Sequence, residues 1–293
     1  MIKECYLYEQ LENNIARCKT CEHRCTISNT KFGFCGVRKN INGKLHFLFY
    51  NQSIAENIDP VEKKPLFDYL PGTKTLTIAT VGCNFCCKWC QNCDISQITK
   101  TSECENAFKI GFELSPERII KDAILAKCPS ISYSYTEPTI FLEYALDTMK
   151  LAHEKGLKNI WVTNGFMTHE ALDLVLPYLD AVNIDLKTFD DKKYQKYTCG
   201  QLAPILRNIT KIHEKKVHLE ITTLIVPGLN DKKSDLISIV KFIHKLDQNI
   251  PWHITQYHPA HKMIASPSPI ALLKDIQAMA YNIGLKKVYL GNL

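Results

Sequence analysis

Nine of the chain's 13 cysteines fall in two tight groups: Cys18, Cys21, Cys25 and Cys35, then Cys83, Cys86, Cys87, Cys90 and Cys93. Cys83, Cys87 and Cys90 form C-x3-C-x2-C, with Trp89 just before the last cysteine. Three thiolates can hold three irons of a cubane and leave the fourth open to an outside ligand, whereas a structural cluster normally takes four. Two other readings compete. Cys86, Cys90 and Cys93 repeat the spacing, but Asn92 then stands at the aromatic position. The pairs Cys83/Cys86 and Cys90/Cys93 could clasp zinc as two knuckles, although only three residues separate them. In the first register Cys86 and Cys93 are spare buried thiols. The N-terminal group, Cys18, Cys21, Cys25 and Cys35, supplies four thiolates, enough for a complete site. Zinc and a second iron–sulfur cluster both fit it, and the crowding of its first three cysteines tilts the reading toward a cluster.

Such loops need elements to hold them. From about residue 74, Thr/Ile/Val-rich runs alternate with helical patterns, giving six β/α steps and a terminal strand. Strands are expected at 73–82, 130–135, 159–165, 181–187, 217–226, 251–258 and 286–291. A long helical stretch is expected at 191–215. This predicts a partial (β/α)6 TIM-like barrel over 73–293, with an open doubly wound sheet as the rival. Residues 1–72 break the rhythm and read as a small Cys-rich metal-binding module. It would contain a hairpin over 40–51 that turns at Asn42-Gly43, and a Pro-rich connector over 58–72. The central cysteine loop directly follows the first barrel strand, and chemistry in β/α barrels sits at the C-terminal ends of strands. Other strand ends carry polar groups: Tyr135, Thr136 and Glu137, then Thr163 and Asn164, then Asp185 and Lys187. Thr222 lies on the fifth strand and His258 at the end of the sixth. A carboxylate at Glu137 suits an ammonium ligand. Asp185 and the Thr163 hydroxyl offer hard oxygen ligands, and Lys187 can pair with a carboxylate.

Composition bounds the rest. Hydrophobic residues make up 45% and charged residues 23%, enough apolar content for a full core. No run is long enough to span a bilayer, and the start, MIKECYLYEQ, lacks the pattern of a signal peptide. A cytoplasmic location is expected, and clustered cysteines there favour metal over disulfides. The net charge of +6 permits an anionic partner but does not favour nucleic acid.

The central motif resembles that of the radical SAM superfamily, C-x3-C-x-aromatic-C. The resemblance implies an oxygen-sensitive [4Fe–4S] cluster on Cys83, Cys87 and Cys90. It also implies S-adenosylmethionine (SAM) chelated at the open iron, and an oxidoreductase that releases a 5′-deoxyadenosyl radical. Where that family commonly has Gly-Gly-Glu holding the SAM amino group, this chain has Tyr135-Thr136-Glu137. The Thr163-Asn164-Gly165 and Asp185-Leu186-Lys187 segments resemble those of glycyl-radical activating enzymes, particularly pyruvate formate-lyase activating enzyme. There they line the SAM pocket and a nearby monovalent-cation site, and His258 matches a histidine near SAM. Trp89 and Thr222 are placed in the same pocket. The set CKTCEHRC, IDPVEKKPLFDYLPG, TVGCNFCCKWCQNCDIS, YTEPTIF, TTLIVPGLND and QYHPAH is similar to the AmmeMemoRadiSam-system radical SAM proteins over nearly the whole chain. Cys86 and Cys93 depart from that pattern. A further C-terminal segment with a cysteine pair is expected beyond Leu293.

The resemblance implies hydrogen abstraction from a glycine of a partner enzyme, with a reductant such as ferredoxin or flavodoxin. Modification of a metabolite, a lipid precursor or RNA, alongside pathway partners, is the alternative. A non-catalytic iron–sulfur electron-transfer module or zinc-held structural module is the reading from another class. No side chain is assigned as catalytic. Cys199 is a conceivable hydrogen donor, but an inert thiol is the simpler expectation.

Overall fold

The computed structural model describes residues 1–101 and 104–293. Its centre is an eight-stranded sheet: β1 (Ala55–Pro60), β2 (Lys74–Ala79), β3 (Ser130–Tyr133), β4 (Lys158–Thr163), β5 (Ala181–Asp185), β6 (His218–Ile225), β7 (Trp252–Gln256) and β8 (Val288–Gly291). The strands lie side by side in chain order, β1 to β8. β1 runs antiparallel to β2, and the other seven are parallel to one another. A doubly wound sheet reverses its strand order at a switch point. Here the order never reverses, so the partial barrel is the architecture and the rival is excluded.

Among the described residues, seven helices longer than one turn cover the outside: α1 (Pro116–Leu125), α2 (Leu142–Glu154), α3 (His169–Val175), α4 (Asp191–Thr198), α5 (Leu202–Glu214), α6 (Lys233–Leu246) and α7 (Ile270–Ile283). Three of these starts, at Ser115, Thr168 and Asp190, carry a side-chain cap. Ser115 Oγ accepts from the Arg118 amide at 3.3 Å with Pro116 as the first helical residue, and Thr168 Oγ1 accepts from the Ala171 amide at 3.1 Å. The stretch 191–215, expected as one helix, is two. Cys199 takes a left-handed conformation (φ 62°), and Gly200 follows it. A Cβ on Gly200 would stand 2.4 Å from the Phe85 ring, so the break seats a residue of the cysteine loop.

The N-terminal 50 residues form two small antiparallel sheets. Arg38–Ile41 and Lys44–Phe47 pair through Asn42 and Gly43, both at positive φ as a type I′ hairpin requires. A buried ion pair fastens this part to the barrel. Arg38 Nη2 lies 2.7 Å from Glu143 Oε2 on α2, and Nη1 donates to Glu143 Oε1 at 3.0 Å and to Cys5 Sγ at 2.7 Å. Removing one member of such a pair strands a buried charge, at a cost of about 3–5 kcal/mol. The connector closes the N-terminal end of the barrel. Val61 and Leu66 pack on Ile160 and Ala181, and Asn183 Nδ2 donates to Pro65 O at 2.7 Å. Among the described residues, no helix is long and apolar enough to cross a membrane.

Candidate active site at the C-terminal mouth of the barrel

The loop after β2 carries Cys83, Cys87, Trp89 and Cys90 to the rim of a cavity of about 600 Å³. Tyr135, Thr136, Glu137, Thr163, Asn164, Asp185, Lys187 and Thr222 line the same cavity. Residues spread over 140 positions of sequence thus meet because parallel strands bring their C-terminal ends together. His258 is the exception: it sits outside the lining, its Nε2 3.0 Å from Asn292 O.

Glu137 is the hub. Its Oε1 accepts from the Thr139 amide (3.0 Å), the Thr139 hydroxyl (2.6 Å) and the Thr163 hydroxyl (2.7 Å). Its Oε2 accepts one bond, from the Asn164 amide at 2.8 Å, and so keeps a lone pair for a ligand. Burial pushes the Glu137 pKa up, and these donors only partly offset it. Asn164 Nδ2 then donates to Asn84 Oδ1 at 2.7 Å, tying the pocket to the cysteine loop. Lys187 Nζ pairs with Asp185 Oδ2 at 2.9 Å. Burial alone would lower the Lys187 pKa, but the Asp185 carboxylate beside it outweighs that and raises it, so the ammonium persists. Tyr135 occupies left-handed backbone (φ 63°), a conformation glycine takes freely. Its hydroxyl donates to Asp59 and its carbonyl accepts from Asn92 Nδ2 at 2.8 Å, and these contacts hold a bulky residue where a glycine would suffice.

Cys86 is bonded to Cys199. This corrects the expectation that the first is a spare thiol and the second an inert one. It also removes Cys86 from the second C-x3-C-x2-C register and from the zinc-knuckle arrangement. Cys93 is a half-buried free thiol. The amide of Phe85 donates to Cys83 Sγ at 3.3 Å, and Cys90 Sγ lies 3.2 Å from Ser96 Oγ. Both are contacts of the kind that tune a sulfur-bound cluster.

The N-terminal thiols of Cys18, Cys21, Cys25 and Cys35 line a second, much smaller cavity of about 10 Å³ with Phe34 and Arg38. The Thr20 hydroxyl beside them is buried without a hydrogen-bond partner. Two lining residues of the main cavity, His253 and Thr255, went unnoticed in the sequence. Glu220 Oε2 lies 2.6 Å from His253 Nε2, and Glu220 also accepts from the Phe67 and Asp68 amides of the connector. Alternation was the available signal: Glu220, Thr222 and Leu224 share one face of β6, and His253 and Thr255 one face of β7.

A profile of the radical SAM superfamily matches residues 77–243. The chain belongs to the radical SAM superfamily. An uncharacterized protein of Methanocaldococcus jannaschii is 40% identical over 294 residues, covering 100% of this chain and 86% of its own length. The pyruvate formate-lyase-activating enzyme of Staphylococcus epidermidis is 25% identical, over 64% of this chain and 76% of its own. Among solved structures, Streptococcus suis SuiB bound to precursor peptide SuiA superposes with a TM-score of 0.58 at 13% identity, over 79% of this chain and 51% of that one. A radical SAM methyltransferase from Sphaerobacter thermophilus gives 0.56 at 12%, over 76% and 67%. These likenesses establish the shared fold.

A radical SAM protein is an enzyme of SAM-dependent radical chemistry, and the family implies a [4Fe–4S] cluster and SAM. The donor set here fits both. Burial pushes the Cys83 thiol up and that of Cys87 to about 11, so both stay protonated until a metal deprotonates them. Cys83, Cys87 and Cys90 line the same cavity. The ionisable lining beside them suits a ligand with both an ammonium and a carboxylate.

Proposed function

We propose that Cys83, Cys87 and Cys90 hold a [4Fe–4S] cluster at which SAM is reductively cleaved, and that the resulting radical takes a hydrogen atom from a substrate carbon. The observation that supports this is the meeting of those three thiols with Glu137, Asp185 and Lys187 around one cavity. When bound, cluster and SAM together supply one-electron cleavage of a sulfonium C–S bond and a 5′-deoxyadenosyl radical. Glu137 Oε2 receives the SAM ammonium, while Thr163 and the Asn164 amide hold the carboxylate in place. Lys187 faces the SAM carboxylate, and Asp185 keeps that ammonium oriented or, with Thr163, offers oxygens to a monovalent cation. Trp89, Tyr135, Thr136 and Thr222 complete the wall, and His258 acts from the rim through Asn292.

The N-terminal cysteines hold a second metal centre, an iron–sulfur cluster or zinc. Electrons come from a small reductant protein of the ferredoxin or flavodoxin kind. A glycine of a partner enzyme is the substrate suggested by the activating-enzyme relatives. One observation favours a small metabolite instead. The connector packs on Ile160 and Ala181 and closes the N-terminal end of the barrel, which leaves a dead-end cavity suited to a small molecule.

Anaerobic reconstitution of the wild type and a Cys83→Ala/Cys87→Ala/Cys90→Ala variant tests the reading. The variant is expected to lose about four iron and four sulfide, and with them formation of 5′-deoxyadenosine. A wild type that loads iron yet never yields 5′-deoxyadenosine with SAM and dithionite overturns it.

A further inference from the structure

Lys100 stands at the junction of the two cysteine groups, and nothing in the proposed chemistry uses it. It ends a short helical turn, Ile98–Lys100, that follows the central loop. Its Nζ donates to Phe85 O at 2.6 Å, within the segment from Cys83 to Cys87. On the other side it lies 4.4 Å from the ring centroid of Phe34, the neighbour of Cys35. The residue before it fastens the same junction: Thr99 Oγ1 donates to Cys35 O at 2.9 Å. A Cβ on Gly36 (φ 73°) would stand 2.5 Å from Thr99 O, so glycine is what permits this approach. The Lys100 charge acts on Cys83, Cys87 and Cys90 and also on Cys35. Two other cations serve one group each: buried Arg38 acts on Cys35 and half-buried Lys187 on Cys87. Of the three, Lys100 faces both.

In each group the thiolates outnumber the net positive charge of the zinc ion or iron–sulfide core they would hold, so two anionic centres come close together. An electron added to the central one is opposed by the other, most strongly where water is excluded. A single half-buried ammonium between them offsets both.

We infer that Lys100 is a shared positioning residue: its ammonium raises the reduction potential of the central cluster and strengthens metal retention at the N-terminal cysteines. This rests on the metal sites proposed above. The step concerned is a one-electron reduction, with dithionite as donor in the test and no proton or bond transferred.

The test uses reconstituted wild type, Lys100→Met and Lys100→Arg, each with its iron, zinc and sulfide counted. Potentiometric titration followed by electron paramagnetic resonance reads the central cluster. A chelator challenge reads the N-terminal metal, whichever it is. Lys100→Met is expected to make the central reduction at least about tenfold less favourable, about 59 mV more negative. It should also speed loss of the N-terminal metal about tenfold. Lys100→Arg keeps the charge and is expected to stay near wild type in both. A merely structural role predicts that Arg, a bulkier side chain, perturbs both readouts as Met does, and that result overturns the inference. So does a Lys100→Met protein with normal metal content and an unmoved potential. A shift in the central potential alone overturns the shared role. Absence of iron at the central cysteines of the wild type refutes the proposed function instead, and the counts separate the two failures.

Discussion

Glu137→Gln is the sharpest probe of the SAM pocket. Glu137 Oε2 has one acceptor site left for an ammonium, and the hydrogen bond it would make is charge-assisted. Bonds to charged groups contribute about 1.5–3 kcal/mol, so their loss weakens SAM binding roughly ten- to 150-fold. The amide keeps one acceptor oxygen but presents a donor to either the Asn164 amide or the Thr139 and Thr163 groups. One buried donor is then stranded, at about 1–3 kcal/mol. Relief from burying an ion works the other way, so the variant is expected to fold.

The pH dependence follows from burial, which raises the Glu137 pKa above its ordinary 4.5. For an acid raised in the folded state, the unliganded protein has this group's contribution in full below the unfolded pKa. That contribution is lost as pH climbs through the folded pKa. SAM affinity runs the opposite way, growing as the carboxylate ionises to meet the ammonium. Anaerobic isothermal titration calorimetry with SAM across this range should show that rise in the wild type and a flat, weak profile in Glu137→Gln. A folded variant that binds SAM as tightly as the wild type refutes the placement of the ammonium at Glu137.

Three further outcomes are expected. Cys199→Ser opens a link between residues 113 positions apart and should cost about 2–4 kcal/mol in urea unfolding, while leaving iron content unchanged; iron loss would make Cys86 part of the ligand set. Glu220 is held at about 2: burial would raise it, but His218, His253 and the Asp68 and Phe67 amides outweigh that. Its contribution of about 3 kcal/mol is present above pH 4.5 and lost as pH falls toward 2, so Glu220→Gln should flatten acid unfolding in that window. Thr222→Val removes a buried hydroxyl with no partner, so the unliganded protein should be as stable as wild type or more so in thermal unfolding; clear destabilisation would mean the hydroxyl is satisfied.

Features set by local pattern were legible in the sequence, and those set by distant neighbours were not. Strands of the barrel announce themselves because parallel strands covered on both faces read as near-continuous β-branched and apolar runs, as in KTLTIA. Asn42-Gly43 marks its hairpin because few other dipeptides accept positive φ twice. β1 carries no such mark: AENIDP alternates poorly, ends in proline and is largely exposed, all traits of an edge strand. The break at Cys199-Gly200 depends on the ring of Phe85, more than a hundred residues earlier, and the Cys86–Cys199 link on a Cα separation of 5.8 Å that spacing does not encode. Those two distant features are one device. Gly200 seats Phe85, Cys199 clasps Cys86, and the Thr198 carbonyl accepts from the Cys86 amide at 2.9 Å. The C-terminal end of α4 is therefore the mould that shapes the central cysteine loop. Spacing alone left two registers of C-x3-C-x2-C open. The register favoured by Trp89 is also the one in which Cys86, one of the two cysteines left over, is used to hold the loop against that mould.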